Sequence, residues 1–177
     1  VEGLQNLTQL QRHSFFCTWS HNRKFKPSTP IPRPSPQYSF LKLSIVHNNA
    51  AVVRQFYDEA LTEFRNESGI TKISLLNRRC ARGFSLAHFA AQHGACDVLR
   101  VLKEFCPESL YATVGTTGGE LAGASVAYVA AYYNQYSVFY YLEKILTKNF
   151  IRPILHNGNS IVNLAVSRGD KFLLDLI

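Results

Sequence analysis

The residue types able to do chemistry are four cysteines (Cys17, Cys80, Cys96 and Cys106), six histidines, and a few grouped carboxylates and glycines. Zinc sites deliver thiolates in close pairs, commonly as Cys-x-x-Cys followed by a second pair. No cysteine pair has that spacing, and no histidine stands at zinc-finger distance from one. The sequence therefore predicts no metal site and no cofactor. His88, Cys96 and Asp97 have the types of a base, a nucleophile and an orienting carboxylate. The apolar periodicity, however, puts His88 and Cys96 on different helices, and no glycine loop offers an oxyanion hole. The run Gly115-Thr-Thr-Gly-Gly119 lacks the Gly-Lys-Ser/Thr of a phosphate loop and follows no predicted strand. Glu104, Glu108 and Glu120 lack the spacing of a working carboxylate pair. No catalytic residues are assigned, and the chain is read as a non-enzyme.

The 177 residues suffice for one core or one elongated stack. With 46% hydrophobic and 18% charged residues, a wholly disordered chain is excluded. The net charge of +7 is unevenly placed. Arg12, Arg23, Lys24, Lys26 and Arg33 face only Glu2 within residues 1–40. Such a basic segment suits weak contact with acidic proteins, nucleic acid or anionic lipid, although nothing in it reads as a defined nucleic-acid module. Lys24-Phe-Lys-Pro27-Ser-Thr-Pro30 also fits a basic-x-x-Pro-x-x-Pro ligand pattern, a pattern common by chance.

The elements that must position these residues are short helices. Residues 27–36 hold five of the seven prolines, which predicts an extended linker with no helix. Before it, Leu4, Leu7 and Leu10 suggest one face of a short helix, with Phe15, Phe16 and Trp19 adding apolar bulk. From Leu41 onward, apolar residues recur at helical spacing in paired segments, as in Val52, Val53, Phe56, Tyr57, Ala60, Leu61 and Phe64. Leu121–Leu142 is uncharged for long enough to raise a membrane span. Ser125, Asn134, Gln135 and Ser137 interrupt it, so no span is predicted. The absence of Met and the apolar finish at Ile177 suggest a piece of a longer protein.

A repeat underlies the pairs. Gly83, Ser85, His88, Ala90, Ala91, Gly94, Asp97, Val98, Leu99 and Leu102 stand in register with Gly-x-Thr-Pro-Leu-His-x-Ala-Ala-x-x-Gly-His, an acidic residue, two aliphatics and a final Leu. This resembles the ankyrin repeat. Further copies run from Gly123 to Leu142 and from Gly158 to Leu174, and a weaker first copy surrounds Ser44 to Val53. Ser44, Ala90, Ala130 and Ala165 align at gaps of 46, 40 and 35 residues, so insertions separate the units. The motif's Pro is replaced by Leu86, Val126 and Ile161, and its His survives only as His88. Asn48, Gly94, Asn134 and Gly169 stand where a left-handed residue closes each first helix. Ser85, Ser125 and Ser160 stand where a hydroxyl caps its start.

The resemblance implies an all-α fold: an ankyrin-repeat solenoid of about four helix-turn-helix units near 41–66, 82–106, 122–147 and 157–177. Residues 1–40 form a basic, Pro-rich segment outside it. It implies a structural His88 that hydrogen-bonds between neighbouring turns. It also implies a partner protein held on the hairpin tips and the exposed side of the first helices. Carried onto this sequence, that face is Arg82, Phe84, Gln92, His93, Tyr132, Tyr133, Asn159, Ser167 and Arg168, extended by His47; Tyr140 falls on the outer surface. The function expected is a protein-interaction scaffold within a larger intracellular protein, in the cytoplasm, or in a host's cytoplasm for a secreted effector. The alternative is a targeting module of a multidomain enzyme or effector whose catalytic domain lies elsewhere.

Overall fold

A computed structural model describes residues 36–63, 79–80, 82–146, 155 and 157–177. The expectations for Leu4–Trp19, Cys17, the Lys24–Pro30 motif and the basic segment up to residue 35 lie outside these. The helices come in pairs: α1 (Pro36–Val46) with α2 (Ala50–Glu63), α3 (Leu86–Gln92) with α4 (Cys96–Phe105), α5 (Val126–Tyr132) with α6 (Tyr136–Ile145), and α7 (Ile161–Arg168) with α8 (Lys171–Leu176). Two 3-10 stretches, Pro107–Tyr111 and Thr116–Leu121, lie between α4 and α5. First helices pack on first helices (α1 on α3, α3 on α5, α5 on α7), and second on second (α2 on α4, α4 on α6). Leu121–Leu142 is broken by the turn between α5 and α6, and no helix among the described residues is long and apolar enough to cross a membrane.

One expectation is corrected at the start. Helix α1 opens at Pro36, inside the stretch assigned to an extended linker and ahead of the boundary placed at residue 41. Proline is well suited to a first helical turn: its φ is preset, and the N–H it lacks would have had no partner in the helix.

The turn inside each pair is set by one residue with positive φ: Asn48 at 50°, Gly94 at 73°, Asn134 at 58° and Gly169 at 62°. Left-handed backbone is costly for any residue with a Cβ except Asn and Asp, whose short polar side chains tolerate it. Asn134→Gly is therefore expected to be close to neutral, the easier backbone offsetting the loss of one exposed bond from Arg168, and Asn134→Ala to cost about 1 kcal/mol. Asn48→Gly should behave differently. Its Oδ1 accepts from the Asp97 and Val98 amides at 3.1 and 3.3 Å, capping α4, whose own N-cap residue is Ala95. Loss of that cap is expected to cost about 1 kcal/mol. Urea denaturation of the three variants checks the pattern.

A second turn recurs ahead of each of the last three pairs. Cys80 N–H donates to Phe84 O and Gly83 N–H to Cys80 O, at 2.9 and 2.8 Å. Leu155 repeats this with Asn159 and Gly158, and Val114 repeats it with Ala124 and Gly123 across a longer excursion. Gly83, Gly123 and Gly158 all have positive φ. The excursion holds the Gly115–Gly119 run, so those glycines form an inserted finger and not a phosphate cradle. Neighbouring turns are also tied together: Gly115 N–H donates to Gly83 O at 3.1 Å, and a Cβ on Gly83 would lie 2.8 Å from the Gly115 nitrogen.

The core is apolar and continuous. Ala87, Ala90, Ala91, Ala130 and Ala165 are fully buried on the first helices, where small side chains let neighbours approach closely, and Val98, Leu99, Leu102, Val138, Phe139 and Leu142 are fully buried on the second helices. Tyr57 stacks on Phe105 at 5.1 Å between centroids, joining α2 to α4. In the last pair the register continues while the cover stops. Val162 and Val166, in the positions of Ala127 and Ala131, are 42% and 63% exposed, against 1% and 0% for the alanines.

Candidate functional site

His88 shows how the local sequence fixes the turns. It lies on the inward side of α3, fully buried. The Ser85 amide donates to its Nδ1 at 3.2 Å, the Ser85 hydroxyl lies 2.7 Å from the same nitrogen, and Nε2 reaches Ala124 O of the next turn at 3.3 Å. An Nδ1 that accepts from an amide must be unprotonated, so Nε2 carries the proton and donates. Burial, reinforced by the Arg79 cation, pushes the pKa down to about 4. The ring is a neutral bridge between successive turns. Ser125 and Ser160 cap α5 and α7 directly, accepting from the Tyr128 and Asn163 amides at 3.1 and 3.2 Å.

No group of described residues has the ligands for a metal ion. Besides the Ser85 hydroxyl and His88 Nδ1, another contact between reactive types is that of the Cys106 thiol, 2.8 Å from a Glu108 carboxylate oxygen. Cys106 is buried, and its thiol donates to that carboxylate. His88 is bonded to Ser85 and Ala124 through both nitrogens and is not aimed at Cys96, whose sulfur lies 3.9 Å from the Ser137 hydroxyl.

The exposed side of the first helices carries the other candidates. Phe89 is half-buried on α3, with Lys42 Nζ of α1 4.5 Å from its ring centroid and His93 stacked on it at 6.4 Å. Burial, then the Lys42 cation, lowers the His93 pKa and favours the neutral ring. At the C-terminal end of α5, Tyr132 and its capping neighbour Tyr133 meet edge to face at 5.2 Å, both half-buried. Arg168, at the end of α7, lies over Tyr132 with its guanidinium carbon 4.8 Å from the centroid. Its Nη1 donates to Tyr132 O at 2.9 Å and Asn134 Oδ1 at 3.3 Å. These bonds close the C-terminal end of α5 from the neighbouring pair, as Gln135 Nε2 does for Gln92 O at 3.3 Å on α3.

Of the expected face, His93, Arg82, Asn159, Ser167, Arg168 and His47 are exposed, and Gln92, Tyr132 and Tyr133 are half-buried. Phe84 is a correction. It is 4% exposed, its ring packed on His88 at 5.7 Å and on Phe89 at 6.0 Å, and is not available to a partner. The position after Gly83 begins the return toward the helix, which turns the ring inward, and a large apolar ring gains most from burial there. Tyr140, assigned to the outer surface, is 47% exposed. Phe89 and Lys42 were not singled out from the sequence. The available signal was the helix repeat: Phe89 stands three and four residues before Gln92 and His93, on their face.

Comparison of the chain with protein-family models, with curated proteins and with solved structures found no match.

Proposed function

We propose that the chain is a divergent ankyrin-type stack acting as a protein-interaction scaffold, which holds a partner protein on the exposed side of its first helices and catalyses nothing itself. One observation carries the reading. Aromatic and cationic side chains from three consecutive pairs, Phe89, His93, Tyr132, Tyr133 and Arg168, line one side of a row of packed first helices. Tyr and Arg supply large contact areas and directed donors, and they dominate the energetics of protein interfaces. Here they are already held in place by ring contacts and by hydrogen bonds to the next helix end, so less freedom is lost on binding. The repeated turns and the register of Ala90, Ala130 and Ala165 support the ankyrin assignment.

The test is a pull-down with the full chain, identification of the captured protein, and titration of the two purified components. Tyr133→Ala is expected to weaken binding about tenfold, near 1.4 kcal/mol, while the melting temperature moves little because the ring is only half-buried. Unchanged affinity in a variant that melts normally would reject this face.

A further inference from the structure

Charge is sorted between the two rows of helices. None of α1, α3, α5 and α7 contains an acidic residue, whereas each second helix does, for example Glu59, Asp97, Glu143 and Asp175. The turn ahead of α3 carries Arg79, which donates to the Gly83 and Thr113 carbonyls, and Arg82, both exposed, and Arg168 stands exposed at the C-terminal end of α7. Glu120 stands exposed on the inserted finger, Asp97 and Asp170 are engaged at the starts of second helices, and Asp170 lies within reach of the Arg168 charge. A surface with cations and ring edges and few carboxylates has a favourable potential for anions.

We infer that the partner segment held on the first-helix side is an acidic polypeptide, rich in Asp or Glu, that lays its carboxylates against Arg82 and Arg168 and its apolar side chains against Tyr133 and the ring edges of Tyr132 and Phe89. This deepens the scaffold reading and rests on it. The hydrogen bonds of Arg168 to Tyr132 and Asn134 run through Nη1, so the guanidinium keeps donors on Nε and Nη2 for a carboxylate. Nucleic acid is the competing anion, and the geometry disfavours it. Base recognition on aromatic platforms needs open ring faces. Here Arg168 lies over Tyr132, Lys42 over Phe89, and His93 is stacked on Phe89. Polypeptide carboxylates need only the cations, which those ring contacts hold in position.

The experiment selects random 12-residue peptides displayed on phage against the immobilised full chain, and repeats the selection on Arg82→Glu/Arg168→Glu. The basic segment before residue 36 is identical in both proteins, so a difference between them reports on this face. A thermal melt of the double variant, with Arg168→Gln as a milder second variant, separates loss of recognition from loss of fold. Selected peptides should carry at least twice the Asp and Glu content of the starting library. The best of them, synthesised, should bind about tenfold more weakly to either variant and to the chain when its acids are replaced by Asn and Gln. Peptides that need Tyr133 but show no acidic enrichment would overturn this inference and leave the scaffold reading standing. No selected peptide, together with tighter binding of a 12-nucleotide oligouridine, would overturn both.

Discussion

Lowering the pH from 7 to 4 is expected to remove about 3 kcal/mol of stability through His88 alone. The folded ring has its pKa lowered from 6.5 to about 4 by burial. A depressed folded pKa means that the unfolded chain takes up the proton first. The contribution is therefore whole above pH 6.5, falls progressively from 6.5 to 4, and is fully lost below. Protonation would also cost Nδ1 its role as acceptor for the Ser85 amide, breaking the start of α3 at the point where that helix is bridged to Ala124. Urea unfolding at pH 7, 5.5 and 4 measures the total slope, to which surface carboxylates also contribute. His88→Gln isolates the histidine. It should be less stable than the parent at pH 7, with the difference shrinking as the pH falls. Parallel pH curves for the two proteins, or a folded-state imidazole signal that titrates near 6.5, would reject the buried neutral bridge.

Phe139→Ala is expected to cost 3–5 kcal/mol, enough to unfold a marginal domain of this size. Phe139 is fully buried and is the largest such side chain described. It sits on α6, in the second-helix row whose neighbour is α4. The removed ring leaves a cavity that the surrounding helices cannot fill without moving against their buried alanines. The comparison that gives this value its meaning is Leu174→Ala. Leu174 holds the same register position on α8 and is 41% exposed, so its loss should cost about 1 kcal/mol or less. Equal costs at the two positions would show that burial does not follow the order of the helix pairs. The midpoint of urea unfolding should fall while the m-value stays constant, since the surface exposed on unfolding is nearly the same.

Much of this architecture was legible in particular residues. Gly94 and Gly169 marked helix ends by an intrinsic backbone property, and Asn48 and Asn134 did so by being the next most tolerant type; all four have positive φ. Ser125 and Ser160 announced helix starts because a hydroxyl there satisfies an amide that the helix leaves unpaired. The alanines at 90, 130 and 165 gave the register, because close helix approach demands a small side chain. His88 was expected to bridge turns through a resemblance, and its bonds to Ser85 and Ala124 do so.

The tertiary structure decided how deeply each large side chain is buried. Phe84 and Phe89 are the same residue type five positions apart, and one is buried under the turn while the other stands half-open beneath Lys42. Sequence spacing places a side chain around its own helix axis, whereas exposure is set by what the neighbouring pair places against it. The pairing of Arg168 with the end of α5 belongs to the same level. It depends on helices distant in sequence being brought side by side, so local propensity carries no signal for it. Composition and periodicity determined that short helices form in pairs; packing between pairs determined the surface they present, because burial belongs to contacts and not to residues.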